Sequence, residues 1–215
     1  MASGLALTAF ALIAIAWTQF GIVRDFDQWV AERLNSAAQS AQWIPDSFLA
    51  ITYFGSARFL IGLSIVVLGC LLILRRWRLA IAVCGTQLIS VALIDHAKLL
   101  FERARPRFNG FFVREGGYSF PSGHALGSMV AYGMLAYLWM ILVSQPRVRR
   151  CGVLIFCILI VLIGGSRPIL GVHYLSDVLG GFALGAAWLL LVIALIEDIR
   201  AHDVRWSGAK GGVGQ

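Results

Sequence analysis

Six apolar runs, each near the length that crosses a bilayer, leave this chain few ways to fold. A spanning helix needs about 20 apolar residues. Residues 5–23, 58–74, 79–101, 121–143 and 178–196 come close to that length, and residues 153–164 make up most of a further span. Hydrocarbon offers no water to backbone N–H and C=O groups, so each run must close its hydrogen bonds internally, as a helix does. The expectation is an all-α, polytopic membrane protein. Residues 1–200 form a single domain with its active site at the extracytoplasmic ends of spans three to six, and residues 201–215 form a polar cytoplasmic tail.

Composition agrees. The chain is 59% hydrophobic and 13% charged, against about a quarter charged in soluble domains. A net charge of +7 on a soluble domain would suit nucleic acid. Here the basic residues fall in short clusters between apolar runs, which suits lipid headgroups and an anionic substrate instead. Residues 1–23 lack a basic leader and a small-residue cleavage site, so they read as a retained first span. Cys70, Cys84, Cys151 and Cys157 lie within or beside the apolar runs and form no CxxC pair.

Residues 24–56 are mixed. Phe26, Trp29, Val30, Leu34 and Ala37 recur at helical spacing among Asp25, Asp27, Glu32 and Arg33. That pattern predicts a short interfacial helix, either a connector or a lid over a substrate entry.

Six spans put both termini on one side. Three compact basic groups mark that side: Arg75, Arg76 and Arg78; Arg147, Arg149 and Arg150; and Arg200, Arg205 and Lys210. The opposite side holds as many basic residues, but Lys98, Arg105 and Arg167 there belong to motifs. With those set aside, the triplets make the termini cytoplasmic. The polar ends of spans three to six then face outward together.

Three motifs meet at that outer face: Lys98-x6-Arg105-Pro106, Pro121-Ser122-Gly123-His124, and Ser166-Arg167-x5-His173-x3-Asp177. Ionisable groups between apolar runs are costly and mark function. Lys98, Arg105 and Arg167 balance a phosphate dianion and the charge that spreads over its oxygens during transfer. Pro121 suits a first helical position. The N–H groups of Ser122, Gly123 and His124 would then be free to bind phosphate. On a helix, His173 and Asp177 share one face, so the carboxylate can orient the imidazole and raise its basicity. His173 is therefore the nucleophile. His124, with no carboxylate at helical spacing, is the general acid for the leaving alcohol and then the base for water. No second carboxylate pair or Cys/His cluster offers itself to Mg²⁺ or Zn²⁺, so metal independence is expected and no cofactor is assigned.

These three motifs resemble, at every signature position, those of the type 2 phosphatidic acid phosphatase superfamily. That superfamily includes integral-membrane lipid phosphatases and soluble vanadium haloperoxidases. The resemblance implies that His173 is the nucleophile, Asp177 its partner and His124 the acid. It implies equally that Lys98, Arg105, Ser122, Gly123 and Arg167 hold the phosphate. It points to a lipid substrate in the bilayer: polyprenyl diphosphate or phosphatidylglycerol phosphate first, then phosphatidic acid and lipid A phosphates. A phosphotransferase with the same site is one rival. An anion or lipid transporter is another, but its ionisable residues would lie near the bilayer midplane. Of the remaining polar residues, Asp95 is placed to pair with Lys98, and His96 reads as structural. Arg103, Arg107 and Arg114 are candidates for contact with a second phosphate or a headgroup.

Overall fold

The structure, a computed structural model, describes residues 2–108, 112–113 and 115–211, with side chains as far as residue 202. Among the described residues eight helices follow in order: α1 (Ala2–Gln19), α2 (Gly21–Ser40), α3 (Trp43–Tyr53), α4 (Ala57–Ile73), α5 (Trp77–Phe101), α6 (Gly123–Leu142), α7 (Pro146–Ile169) and α8 (Leu175–Gly211). Among the described residues no strand occurs. Six segments are long and apolar enough to span a membrane: α1, α3 with α4, α5, α6, α7, and α8 as far as His202. The all-α, six-span expectation holds.

The helix α6 is the axis of the bundle. More than half of its apolar window is buried, and it packs on α4, α5, α7 and α8. Small residues make these approaches close. A Cβ at Gly181 would lie 2.6 Å from the Ser122 carbonyl oxygen, and one at Gly185 would lie 3.0 Å from that of Leu126. The Gly181-x3-Gly185 spacing thus lets α8 press its backbone onto α6. Around this core, large apolar side chains such as Leu5, Ile65, Leu88 and Leu154 point outward, where a lipid-facing surface is expected.

Element boundaries differ from the expectation in four places. The fifth span starts at Pro146 and continues past Gly164 to Ile169, taking Ser166, Arg167 and Pro168 into its last turns. The last helix begins at Leu175 and carries through the predicted tail to Gly211, while residues 212–215 lie outside the described residues. Residues 21–53 form two helices, α2 and α3. Phe54-Gly55-Ser56 is the turn expected before the second span, where the Ser56 hydroxyl caps α4 by accepting from Phe59 N–H at 3.3 Å. Finally, α6 starts at Gly123, with Ser122 as its N-cap and Pro121 outside the helix.

The mixed stretch after the first span is helical as predicted. Phe26 and Trp29 on α2 are more than half exposed, whereas Asp27, Ala31, Asn35 and Ala38 are buried. In a membrane protein the apolar stripe is free to face lipid, so small and polar residues form the protein-facing side.

Candidate active site

Two helix ends present the histidines. The end of α7 is closed by a Schellman arrangement in which Val172 N–H reaches the Arg167 carbonyl at 3.2 Å and Gly171 N–H reaches that of Pro168 at 3.1 Å. Gly171 takes φ +75°, a conformation cheap only for glycine. The chain therefore reverses over Val172–Tyr174 and α8 begins at Leu175. His173 lies in this turn and Asp177 in the first turn of α8, so the pair does not share a helix face. The turn nevertheless brings His173 Nδ1 to 3.4 Å from Asp177 Oδ2.

Asp177 is fully buried. Its Oδ2 accepts from Tyr174 N–H at 2.8 Å and from the Ser119 hydroxyl. Its Oδ1 accepts from Arg103 Nη1 at 2.7 Å. On the other side of the ring, Arg105 Nη1 points at His173 Nε2 over 3.1 Å. A guanidinium only donates, so Nε2 carries the lone pair and Nδ1 carries the proton toward Asp177. Burial pushes the His173 pKa down, and Asp177 opposes that shift. Burial thus disfavours the charged ring, and Nε2 faces the cations.

Arg105 is fixed from several sides. It donates to the carbonyls of Val172 at 2.9 Å, Gly117 at 3.1 Å and Gly116 at 3.2 Å. Arg167 is buried, bonded through Nη1 to Thr52 Oγ1 at 2.6 Å, and its Nε has no hydrogen-bond partner. Glu115 joins the two arginines. One carboxylate oxygen bonds Arg167, and the other lies 3.2 Å from Arg105 and 3.9 Å from His173 Nε2. Burial raises the Glu115 pKa, but Arg167, His173, His124 and Arg105 outweigh it and hold the value at about 2. An anion thus already sits between the arginines, on the Nε2 side of His173.

Lys98, in the last turn of α5, feels the charges of Arg105, Glu115, Asp95 and Arg167. His124 on α6 feels those of Arg167, Glu115, His173 and Lys98, and its ring packs against Gly55, where a Cβ would lie 3.1 Å away. Lys98, Arg105, His124, Arg167, His173 and Asp177 are therefore brought together from α5, the loop before α6, α6, α7, the turn after it and α8. Ser122 is used differently from the expectation. Its N–H donates to the Asp177 carbonyl at 2.9 Å and its hydroxyl caps α6 through Ala125 N–H. Only Gly123 and His124 keep N–H groups without an intrahelical acceptor at the helix start.

Several side chains escaped the sequence reading. Arg103 is not a headgroup contact. It is 8% exposed and bridges Asp177 to Asp27 of α2, which it meets at 2.7 Å. Glu115, Ser119 and Thr52 carry no motif of their own, and only the fold brings them to the site. Arg107 is exposed and His96 bonds its own helix through the Ala92 carbonyl at 2.8 Å, while Arg114 lies outside the described residues.

Comparisons with known proteins identify the family and the fold. Residues 75–201 match the PAP2 superfamily. Phosphatidylglycerophosphatase B of Bacillus subtilis (strain 168) is 31% identical over 198 residues, covering 90% of this chain and 95% of the relative. A crystal structure of a transmembrane PAP2-type phosphatidylglycerolphosphate phosphatase from Bacillus subtilis superposes with a TM-score of 0.86 at 27% identity. That match covers 92% of this chain and 97% of the other. The Aquifex aeolicus protein LpxE shares the fold, with a TM-score of 0.60 at 21% identity over 76% of this chain and 92% of its own. The chain belongs to the PAP2 superfamily and is a multi-pass membrane phosphatase of that type.

Proposed function

We propose that the protein hydrolyses a phosphomonoester or diphosphate of a membrane lipid through a phosphohistidine. His173 Nε2 attacks phosphorus in line, with Asp177 taking up the charge that develops at Nδ1–H. His124 gives its proton to the leaving oxygen as the P–O bond breaks. It then removes a proton from the water that cleaves the P–N bond and regenerates the imidazole. Lys98, Arg105, Arg167 and the free N–H groups at Gly123 and His124 hold the phosphoryl oxygens, while Ser122 fixes the helix start. The observation that carries this reading is Glu115. Its carboxylate lies between Arg105 and Arg167 and 3.9 Å from Nε2, which is where a phosphate must stand to be attacked.

Phosphatidylglycerol phosphate is the leading substrate, because it is what the Bacillus subtilis relatives are named for. Polyprenyl diphosphate and phosphatidic acid follow. The basic triplets support cytoplasmic termini and a site at the outer face of the cytoplasmic membrane, at headgroup level. Phosphate release from purified phosphatidylglycerol phosphate, undecaprenyl diphosphate and phosphatidic acid in detergent tests the reading. Hydrolysis of at least one is expected; release from none would overturn it. Phosphate appearing on an added lipid alcohol instead of in solution would mean transfer.

A further inference from the structure

Three ionisable residues that the mechanism leaves unused or half-used form one buried chain behind the nucleophile. Asp27 on α2 is 2% exposed. One of its oxygens accepts from Ser176 N–H at 3.0 Å, and the other accepts from the Ser176 hydroxyl and from Arg103 Nη2, the latter at 2.7 Å. Arg103 uses its remaining terminal nitrogen on Ser176 Oγ at 2.6 Å and on Asp177 Oδ1 at 2.7 Å. Its guanidinium is clasped between Trp17, 4.5 Å from the ring centroid, and Tyr174, 4.3 Å away. Two carboxylates therefore share one buried cation.

We propose that Asp27 is a positioning residue for the phosphohistidine chemistry: through Arg103 it fixes Asp177, and its charge offsets Arg103 so that Asp177 remains available to His173. The physical reason is charge balance. Arg103 facing Asp177 alone would cancel the carboxylate on which the imidazole depends. With Asp27 present, the Asp27–Arg103–Asp177 cluster carries one net negative charge, which steadies the positive charge that grows on the ring as phosphorus is attacked. The connection also ties helix α2 to the first turn of α8, so the interfacial helix is a structural part of the site.

His173 is faced by Asp177 from α8, by Arg105, Glu115 and Ser119 from the loop before α6, and by Arg167 from α7, while Arg103 and Tyr174 meet behind Asp177. His124 from α6 is a further titratable neighbour, and Lys98 from α5 acts on His124 in turn. Against these fixed neighbours, changes at Asp27 and Arg103 must act with opposite sign. Asp27→Asn leaves Arg103 uncompensated and lowers the pKa of His173, whereas Arg103→Gln raises it.

This inference rests on the nucleophile reading, so its test has a readout that needs no turnover. Nitrogen NMR of the imidazole in detergent, assigned with His173→Ala, gives the titration midpoint of His173 directly. Asp27→Asn is expected to lower the midpoint by about half a pH unit or more, and Arg103→Gln to raise it by a similar amount. Toward phosphatidic acid with short acyl chains, Asp27→Asn should lower kcat about tenfold or more with KM within about twofold, and Asp27→Glu should recover part of the loss. If Asp27→Asn does not fold, Asp27→Asn/Arg103→Gln, which removes one charge of each sign, replaces it and should titrate below Arg103→Gln. Unchanged midpoints, shifts of the same sign, or a rise in KM at constant kcat would overturn the proposal. Opposite midpoint shifts in the two variants of a protein whose wild type turns over no lipid phosphate would support the relay and refute the hydrolase reading alone.

Discussion

Glu115 Oε2 lies 3.9 Å from Nε2 of His173, the ring nitrogen that faces away from Asp177. The imidazole thus has a carboxylate on each side, with different consequences. Asp177 is fully buried and tied to α8, so it stays. Among the described residues, Glu115 is held by ion pairs with Arg105 and Arg167, the donors that the proposed reading gives to phosphate, so substrate and Glu115 would compete for one place.

Replacing Glu115 by Gln is therefore expected to tighten inhibition by inorganic phosphate or tungstate, roughly tenfold for one removed charge. The inhibition constant at pH 7 measures it, and weaker inhibition would mean Glu115 helps to bind the anion. Acid does not substitute for the mutation. The folded-state pKa is depressed to about 2, so the stability that Glu115 contributes is complete above its ordinary value near 4.5 and is lost as pH falls toward 2. Over the working range the carboxylate remains charged.

Gly181→Ala should unfold the protein at lower temperature and lower kcat together. Its Cβ would meet the Ser122 carbonyl oxygen at 2.6 Å and the Ala125 Cβ at 2.9 Å, and backbone cannot step aside as a side-chain tip can. Overpacking of this kind costs about 1–3 kcal/mol. Gly62→Ala and Gly69→Ala, with open space at the added Cβ, serve as controls and should melt like the wild type.

How much of this was legible in the sequence depended on whether the signal was local. The spans were, because hydrocarbon demands long apolar helices whatever the tertiary contacts. The three motifs were, because Lys98, His124, Arg167 and His173 are expensive residues beside apolar runs. The His173–Asp177 pair was found by a helical spacing that the chain does not use: Gly171 ends α7 and the contact survives through a turn. The apolar stripe on α2 marked its lipid side and drew attention from Asp27. Asp27 sits 76 positions from Arg103, and Glu115 sits 10 from Arg105 and 52 from Arg167, at separations that no periodicity encodes.

Phosphate release should survive EDTA, since the proposed charge balance comes from Lys98, Arg105 and Arg167. Loss of activity that Mg²⁺ restores would place a metal in the reaction.

His173→Ala should abolish turnover of every substrate, whereas His124→Ala should be selective. A general acid is worth about 10²–10⁴-fold when the leaving group is an alkoxide, because an unprotonated alkoxide is a poor leaving group. It is worth far less for p-nitrophenolate, which departs without a proton. With His124→Ala, p-nitrophenyl phosphate should therefore retain much more of its phosphoryl-transfer rate than an alkyl lipid phosphate. The second half-reaction still lacks its base, so the phosphoenzyme should accumulate. Rapid quenching should then reveal label on the protein that is stable in base and lost in acid, the behaviour of a phosphoramidate, and His173→Ala should abolish it. Equal losses for both substrates without trapped label would remove His124 from proton transfer and leave it with a binding role.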